Sequence, residues 1–318
     1  MKLQKQRRKR KTKQTLLCCL VALAFFLSAL FTYGPQYHKE IPSWERIYAS
    51  LGLSTESILY QYPFLVCFLS VGQGDCAVLF AEGKTVLIDT GPSGKGEQIV
   101  REIRKMDADT LEYCFITHPH EDHLGSLEEV LHLIPVTHLV LTGEGYPAGI
   151  LSAAEKGKTK VSYAALGQIY EIGGGRFTVL GPAFFGTDTN NNSLVLKAEY
   201  GTVSFLFTGD AEEEEEEYLT GDLTATVLKV GHHGSATSTG GRFLAAVNPS
   251  IAVISCGKEN EYGHPHPEVL NRLGKKKVKI YRTDEAGTIL FATDGEKLYS
   301  NQVAWDEGPQ DKVADKVA

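Results

Sequence analysis

Three histidines and two acids fall within seven consecutive residues of this chain, Thr-His-Pro-His-Glu-Asp-His at positions 117–123. Imidazole nitrogens and a carboxylate oxygen suit zinc, manganese or iron, and catalytic sites of this kind leave one coordination position open for water. A single tight turn can aim all of these side chains at a pair of metal ions. The segment therefore predicts a catalytic metal centre.

Seven of the ten histidines lie in three clusters, and each cluster follows an apolar, strand-like run. The clusters are His118, His120 and His123; His232 and His233; and His264 and His266. Because a rigid sheet holds reactive groups on the loops at its strand ends, three such ends at one rim can converge on one site. We therefore expect the clusters to meet. The histidines expected to be structural or exposed are His38, His132 and His138.

Two aspartates also close apolar runs: Asp89 ends TVLID, and Asp210 ends SFLFTGD. Core packing does not explain an acid at the end of an apolar strand. A turn or a helix cap would explain either acid alone, but both occur beside strand ends that carry histidines. Asp210 is therefore predicted to be a metal ligand. Asp89 is predicted to orient a metal ligand without binding the metal itself.

The elements that must position these residues are short apolar runs interrupted by helical patterns. Helices are predicted at 96–106, 126–133, 212–218, 241–247 and 267–273. The runs with the length and composition of strands are FLVCFLSV, CAVLFA, TVLID, EYCFIT, HLVLTG, SLVLKAEY, VSFLFTGD, ATVLKVG, IAVISCG and TILFAT. Hairpin-like pairs at 65–88 and 193–207 open two halves, which predicts an α/β fold of two packed sheets flanked by helices.

The run of six glutamates at 212–217 begins two residues after Asp210 and opens one of the predicted helices. Acids are favoured at a helix N-terminus by the helix dipole. The run is therefore predicted to be a solvated helix face rather than a metal site.

The N-terminus differs from the rest of the chain. Residues 1–14 carry eight Lys or Arg and no acid, and an apolar run follows at 16–31. That run is a little shorter than the roughly 20 residues that span a bilayer. We predict a basic cytoplasmic tail (1–14), a single-pass transmembrane signal anchor in the cell membrane (15–33), a tether (34–62), an extracytoplasmic catalytic domain (63–300) and a polar tail (301–318). Secretion after signal cleavage is the alternative.

The charge balance bears on the substrate. The whole chain has 32 basic and 39 acidic residues, a net charge of −7. Without the eight basic residues of the tail, 24 remain against the same 39 acids, a net charge near −15. Bound metal and local basic patches would have to hold a nucleic acid on such a domain, because long-range attraction to phosphate is absent.

The motifs THPHEDHLGS, LIDTG before it and FTGD after it resemble those of the metallo-beta-lactamase fold superfamily of binuclear metal hydrolases. SVGQGD (70–75), NNNSLVL (190–196), LKVGHHGS (228–235) and YGHPHPEVL (262–270) are similar to the C-terminal metallo-hydrolase domain of the ComEC competence proteins. The resemblance covers about residues 63–298. It implies a four-layer αββα sandwich.

The resemblance also implies two divalent ions, zinc or manganese. A first site would hold one ion between His118 and His120, a second site would hold the other between Asp122 and His123, and Asp210 would bridge them. His233 would complete the second site and His264 would be catalytic beside the substrate, although these two could exchange roles. Asp122 would also be catalytic, since it would orient the attacking water. The residues expected behind the ligands or against the substrate are Asp89, Asn192, Ser193, His232, Ser235 and His266.

One departure from the wider superfamily concerns the first site. Many members place a histidine between the HxHxDH motif and the bridging aspartate, where this chain has only the segment Asn-Asn-Asn-Ser at 190–193. The first site is therefore one good ligand short. We expect it to bind its ion more weakly or to prefer manganese to zinc.

The resemblance implies a phosphodiesterase or nuclease that uses a metal-bound hydroxide, and the apolar run at 16–31 predicts that it is anchored in the membrane. Its expected role is in DNA uptake, with a separate DNA-uptake channel as partner, or in extracellular DNA processing. One alternative is a hydrolase of a small substrate, such as a phosphorylcholine-type phosphodiester, a lactone or a beta-lactam. The other is a non-catalytic metal-binding module. The sequence predicts no oligomeric state.

Overall fold

The computed structural model describes residues 2–34, 47, 59–143, 145–183 and 186–305. The predicted tether at 34–62 and polar tail at 301–318 fall mostly outside these residues. The division of the chain into tail, anchor, tether, domain and polar tail stays a prediction.

The strands form two sheets. In chain order they are β1 (Phe64–Phe68), β2 (Ala77–Ala81), β3 (Lys84–Ile88), β4 (Leu111–Phe115), β5 (Val136–Leu141), β6 (Lys160–Tyr163), β7 (Ile169–Ile172), β8 (Gly175–Gly181), β9 (Val195–Tyr200), β10 (Val203–Phe207), β11 (Val227–Lys229), β12 (Ile251–Ile254), β13 (Lys279–Arg282), β14 (Ile289–Thr293) and β15 (Leu298–Ser300). The first sheet has the order β15-β14-β1-β2-β3-β4-β5-β6, and the second β13-β12-β11-β10-β9-β8-β7.

The helices are α1 (Lys2–Tyr33), α2 (Gly96–Lys105), α3 (Glu121–Leu124), α4 (Leu127–Leu133), α5 (Ala148–Lys156), α6 (Glu213–Tyr218), α7 (Gly241–Val247), α8 (Pro267–Lys275) and α9 (Thr283–Ala286). The apolar run at 16–31 lies within α1. Among the described residues, no helix combines the length and the apolar character needed to cross a bilayer.

Alternation along the strands builds the layers, since successive side chains of a strand point to opposite faces. In β1, Phe64, Val66 and Phe68 belong to the core between the two sheets, whereas Leu65 and Cys67 belong to the core beneath the helices of the first sheet. Helices α2, α4 and α5 cover that outer face, and α7 and α8 cover the outer face of the second sheet. The expected αββα sandwich of two sheets flanked by helices is confirmed.

The ten predicted strands and five predicted helices are all present, each within a few residues of its predicted bounds. The sequence missed the edge strands β6, β7, β13 and β15, together with β8, α5 and the two four-residue helices α3 and α9. Strand β6 is exposed at every position, so it carries no hydrophobic alternation to detect.

The prediction of a solvated glutamate run was wrong in part, because Glu215 and Glu216 are buried. Glu215 accepts a hydrogen bond of 2.6 Å from the Ala183 backbone, and Glu216 accepts bonds from the backbone N–H groups of Thr239 and Gly240 at 2.5 and 2.7 Å. These carboxylates hold loops rather than face water.

Candidate metal centre

The predicted ligands follow the carboxyl ends of parallel strands, so the fold delivers them to one rim. Strands β3 and β4 are parallel in the first sheet, and β10, β11 and β12 are parallel in the second. Asp89 follows β3, the segment 117–123 follows β4, and Asp210 follows β10. The turn at 231–234 follows β11. Open α/β sheets bind their ligands at such strand ends.

Asp210 lies at the middle of the cluster, with two imidazoles near each of its carboxylate oxygens. Oδ1 is 3.2 Å from His123 Nε2 and 3.5 Å from His233 Nε2. Oδ2 is 3.8 Å from both His118 Nε2 and His232 Nε2. Two ligand atoms bound at about 2.1 Å to a tetrahedral ion lie about 3.4 Å apart. These spacings are those of ligands that share an ion.

The second site brings together four donors. The ligand atoms of Asp122, His123, Asp210 and His233 lie within 4.8 Å of one another. Asp122 Oδ2 is 3.1 Å from His233 Nε2. The Asp122 side chain is 31% exposed, whereas His123 and His233 are buried. The only donor that solvent reaches easily is therefore the predicted water-orienting carboxylate.

The first site has three donors within the same limit. The ligand atoms of His118, His120 and Asp210 lie within 4.8 Å of one another, and His118 Nε2 is 3.0 Å from His120 Nδ1. His118 is buried and His120 is partly exposed.

Two buried polar atoms show that the residues fit a divalent cation. His123 Nε2 and Asp210 Oδ1 have no hydrogen-bond partner among the described residues, although they lie 3.2 Å apart. An unpaired buried donor or acceptor is expensive, and native structures satisfy nearly all of them. A cation between an imidazole nitrogen and a carboxylate oxygen would satisfy both atoms. Nitrogen and oxygen donors of this kind suit zinc or manganese.

Oxygen atoms behind the ligand imidazoles set their tautomers. His123 Nδ1 donates to Asp89 Oδ2 over 2.9 Å, and His233 Nδ1 donates to the Ser255 carbonyl over 2.9 Å. His118 Nδ1 is 3.1 Å from Thr117 Oγ1, which itself donates to Asp89. With the proton on Nδ1, each Nε2 keeps its lone pair for a metal ion. Asp89 thus lies where a residue that orients His123 must lie.

The buried charges of the cluster compensate one another. Burial opposes ionisation of Asp210, but His123 and His233 outweigh it and lower the pKa of Asp210 well below its ordinary value. Burial likewise opposes a charge on His123, but Asp210 and Asp89 raise the pKa of His123 well above its ordinary value. Burial and the neighbouring His123 lower the pKa of His118. Binding a divalent ion here requires neutral imidazoles and therefore releases protons.

The backbone is strained where two histidines enter the cluster. His232 has φ 46° and ψ 49°, and His233 has φ 53° and ψ 19°. This left-handed region is unusual for a residue with a side chain and costs of order 1–3 kcal/mol for each residue. Such strain persists only where the surroundings impose it, and it concentrates at functional sites. Here it points two adjacent imidazoles at Asp210.

A buried ion pair that sequence reasoning missed lies beneath the second site. Lys229 Nζ is 2.8 Å from Asp75 Oδ2, and both residues are buried. Asp75 Oδ1 approaches His233 Nδ1 at 3.3 Å, and the Asp75 backbone N–H donates to the Asp122 carbonyl over 3.1 Å. The SVGQGD motif therefore supports the loop that carries Asp122. The available signal was a lysine within the apolar run ATVLKVG and an aspartate at the end of SVGQGD.

His264 lies beside the ligand cluster but outside both sites. Its ring centroid is 5.6 Å from that of His232 and 6.2 Å from that of His233. Gln73 Oε1 accepts the Gly257 N–H over 3.0 Å, which turns the Gln73 amide nitrogen toward His264 Nδ1 at 3.4 Å. Burial, together with His233 and His232, lowers the pKa of His264 to about 4. His233 thus lies within the donor set of the second site, whereas His264 lies in neither donor set.

The remaining predicted residues are spread around this centre. Asn192 is turned away from it, since its amide bonds both backbone groups of Gly186. Ser193 Oγ accepts the Asp210 N–H over 3.1 Å and lies 3.3 Å from His118 Nδ1. Ser235 bonds Thr237. His266 Nδ1 accepts the Ala236 N–H, and its Nε2 faces the Tyr262 carbonyl, so both of its nitrogens serve the loops.

An open groove of about 490 Å³ borders the centre at Asp122. Its lining includes three further acids and one lysine, namely Glu121, Glu259, Glu261 and Lys258. Tyr262 also lines it and is 65% exposed. The access route to Asp122 is therefore acidic, with an aromatic ring at its wall.

The sequence model of the metallo-beta-lactamase superfamily matches residues 69–258, which contain His118, His120, Asp122, His123, Asp210 and His233. The chain belongs to that superfamily.

Similar proteins include competence proteins. ComE operon protein 3 of Bacillus subtilis is 34% identical over 270 residues, which cover 74% of this chain and 34% of that protein. Competence protein ComA of Neisseria gonorrhoeae is 32% identical over 226 residues, 69% of this chain and 31% of that protein. The chain thus spans about a third of these relatives. The expected resemblance to competence proteins is confirmed.

A solved structure shares the fold. A variant of CmlA beta-hydroxylase aligns with a TM-score of 0.51 over 84% of this chain and 62% of its own, at 14% identity. This likeness concerns the fold alone.

Proposed function

We propose that this metallo-beta-lactamase superfamily hydrolase cleaves phosphodiester bonds, with DNA as its substrate. The observation that carries the proposal is Asp210, whose two carboxylate oxygens each face a pair of imidazole nitrogens at 3.2–3.8 Å. A centre of this form suits two ions about 3.5–4 Å apart, the arrangement used by many phosphatases and nucleases. The similarity to competence proteins favours DNA among the phosphodiesters.

Two divalent ions bound by these residues would lower the pKa of a water molecule toward 7 and neutralise charge on the attacking and leaving oxygens. The residues themselves supply orientation. Asp122 is the partly exposed carboxylate of the cluster, so it can accept a hydrogen bond from the attacking water. With Gln73 at Nδ1, His264 carries its proton on Nε2 and can donate to a substrate oxygen. The proposed roles follow from these contacts.

The cellular setting is also part of the proposal. The apolar run at 16–31 would anchor the chain in the cell membrane and leave the catalytic domain outside. A separate DNA-uptake channel is the proposed partner, because the matched relatives extend far beyond the region that this chain covers.

A second candidate substrate is a small phosphodiester that carries a cationic group, of the phosphorylcholine type. The acidic groove beside Asp122 favours it, since carboxylates such as Glu259 and Glu261 repel a polyanion and attract a cation. The exposed ring of Tyr262 can bind a quaternary ammonium through its face.

The full chain, supplied with manganese or zinc, should be tested on single-stranded DNA, duplex DNA and p-nitrophenylphosphorylcholine. The matched variants are His120→Ala, which removes a first-site donor, and His132→Ala, which removes an exposed histidine of α4. DNA cleavage that is lost only in His120→Ala supports the nuclease. Cleavage of the small ester alone would replace it with the second candidate. Metal binding without hydrolysis of any substrate would indicate a non-catalytic module.

A further inference from the structure

The first site has fewer donors than the second. Asn192 and Ser193, the two residues of the segment 190–193 that were predicted near the site, do not supply a further donor. Asn192 bonds the backbone of Gly186 instead. Ser193 Oγ is engaged by the Asp210 N–H and lies behind His118, at its Nδ1. Neither of these two residues therefore gives the first site a fourth donor.

The nearest unassigned imidazole belongs to His232. Its Nε2 lies 3.8 Å from Asp210 Oδ2, the same distance that separates His118 Nε2 from that oxygen. His232 contacts the first site at Asp210 alone, and its side chain is 24% exposed. An ion in the first site would bring the His232 ring closer to the other three donors.

A carboxylate fixes His232 in the tautomer that a ligand needs. His232 Nδ1 donates to Glu212 Oε1 over 3.0 Å, and Thr237 Oγ1 donates to the same oxygen over 2.7 Å. The Nε2 lone pair is therefore left facing Asp210. Asp89 does the same for His123 in the second site, so the two histidines share one design of carboxylate, imidazole and metal.

Metal ligation by His232 would explain the strained backbone at 232–233. His233, with its φ of 53°, is a donor of the second site, and its neighbour His232 adopts a φ of 46° beside it. Two consecutive left-handed residues place adjacent imidazoles near opposite oxygens of Asp210. One strained turn thus serves both sites.

We propose that His232 is the fourth ligand of the first site, in place of the histidine that many superfamily members carry before the bridging aspartate. The ion then has four protein donors, His118, His120, Asp210 and His232. The inference rests on the two-ion centre proposed above and not on the identity of the substrate. It removes the predicted weakness of the first site and its expected preference for manganese.

The test is a competition titration of the full chain with Zn²⁺ and a chelator, together with the metal content at saturation. The variant is His232→Asn, because asparagine tolerates a left-handed backbone but is too short to replace the imidazole. We expect the wild type to bind two ions. His232→Asn should keep one at wild-type affinity and bind the other at least 10-fold more weakly. Unchanged affinity for both ions, or equal weakening of both, would overturn the proposal.

Glu212→Gln provides a second variant that keeps the imidazole. Loss of its charged acceptor should weaken only the first-site ion, by about 10- to 100-fold. His132→Asn is the matched control for removal of a histidine, and the visible spectrum of the Co²⁺-loaded protein reports the change in coordination. These readouts need no turnover. A chain that binds two ions without cleaving DNA would refute the nuclease and leave this proposal standing.

Discussion

Replacing Asp89 by asparagine should disable one metal site without changing the shape of the residue. Asp89 is buried and accepts three hydrogen bonds, from the Thr117 N–H (2.7 Å), Thr117 Oγ1 (2.8 Å) and His123 Nδ1 (2.9 Å). Its φ is 58°, a conformation in which asparagine is well tolerated. The backbone should therefore keep its course in Asp89→Asn.

The loss of metal affinity in the variant would come from a change in the tautomer of His123. In the variant, the amide oxygen can still accept the Thr117 N–H, but an NH₂ group then faces His123 Nδ1. That nitrogen must become an acceptor, which moves the ring proton to Nε2. Nε2 lies 3.2 Å from Asp210 Oδ1 and, once protonated, donates to it instead of binding metal. Loss of a hydrogen-bond partner of this kind weakens metal binding 10- to 100-fold. Because the tautomer is inverted in the variant, the loss of affinity should lie at the upper end of this range, about 100-fold or roughly 2.7 kcal/mol.

A chelator competition titration of the second-site ion measures this loss. Asp222→Asn is the matched control, because Asp222 is an exposed carboxylate that pairs with Lys197 on the second sheet. Thermal unfolding of both metal-free variants would show whether folding is intact. Wild-type affinity in a folded Asp89→Asn protein would mean that Asp89 does not set the tautomer of His123.

Three further substitutions test close or buried contacts of the domain. Gly74→Ala would place a Cβ 2.4 Å from the Asp122 carbonyl oxygen, at a φ of 143°, so we expect weaker metal binding and a Tm lower by several degrees; an unchanged Tm would contradict this. Lys229→Met removes the lysine partner of the buried Asp75 carboxylate, which should lower the free energy of unfolding in urea by about 3–5 kcal/mol; a loss below about 1 kcal/mol would mean the pair is dispensable. Burial raises the pKa of Glu216 to about 7, from an ordinary 4.5. The folded state therefore binds this proton more tightly, and the resulting stability, fully present below about pH 4.5, is lost as the pH rises through 7. The free energy of unfolding of the wild type should fall by up to about 3 kcal/mol over that range relative to Glu216→Gln; parallel pH profiles would contradict the assignment.

The fold and the main donors were predictable from the sequence because local patterns specify them. Strand alternation gives the two faces of β1, and an acid at the end of an apolar strand marks Asp89 and Asp210. The HxHxDH spacing places His118, His120 and His123 in one turn. These features depend on neighbours within a few residues.

The supporting contacts were not predictable, because they join residues far apart in the chain. Nothing near Asp75 indicates that its partner is Lys229. The six glutamates look alike in sequence, yet Glu212 orients His232 while Glu216 is buried against the backbone of the following loop. Only the folded chain separates these roles.

The proposed role of Asp210 is to hold two ions together. The number of Zn²⁺ or Mn²⁺ ions that remain on the full chain at equilibrium with a chelator, compared between the wild type and Asp210→Asn, measures whether it does. We predict two ions on the wild type. The variant should bind both more weakly, because one ion loses its Asp210 oxygen and the other meets a neutral amide oxygen in place of a carboxylate oxygen. Two ions retained at wild-type affinity in Asp210→Asn would mean that Asp210 does not bridge them.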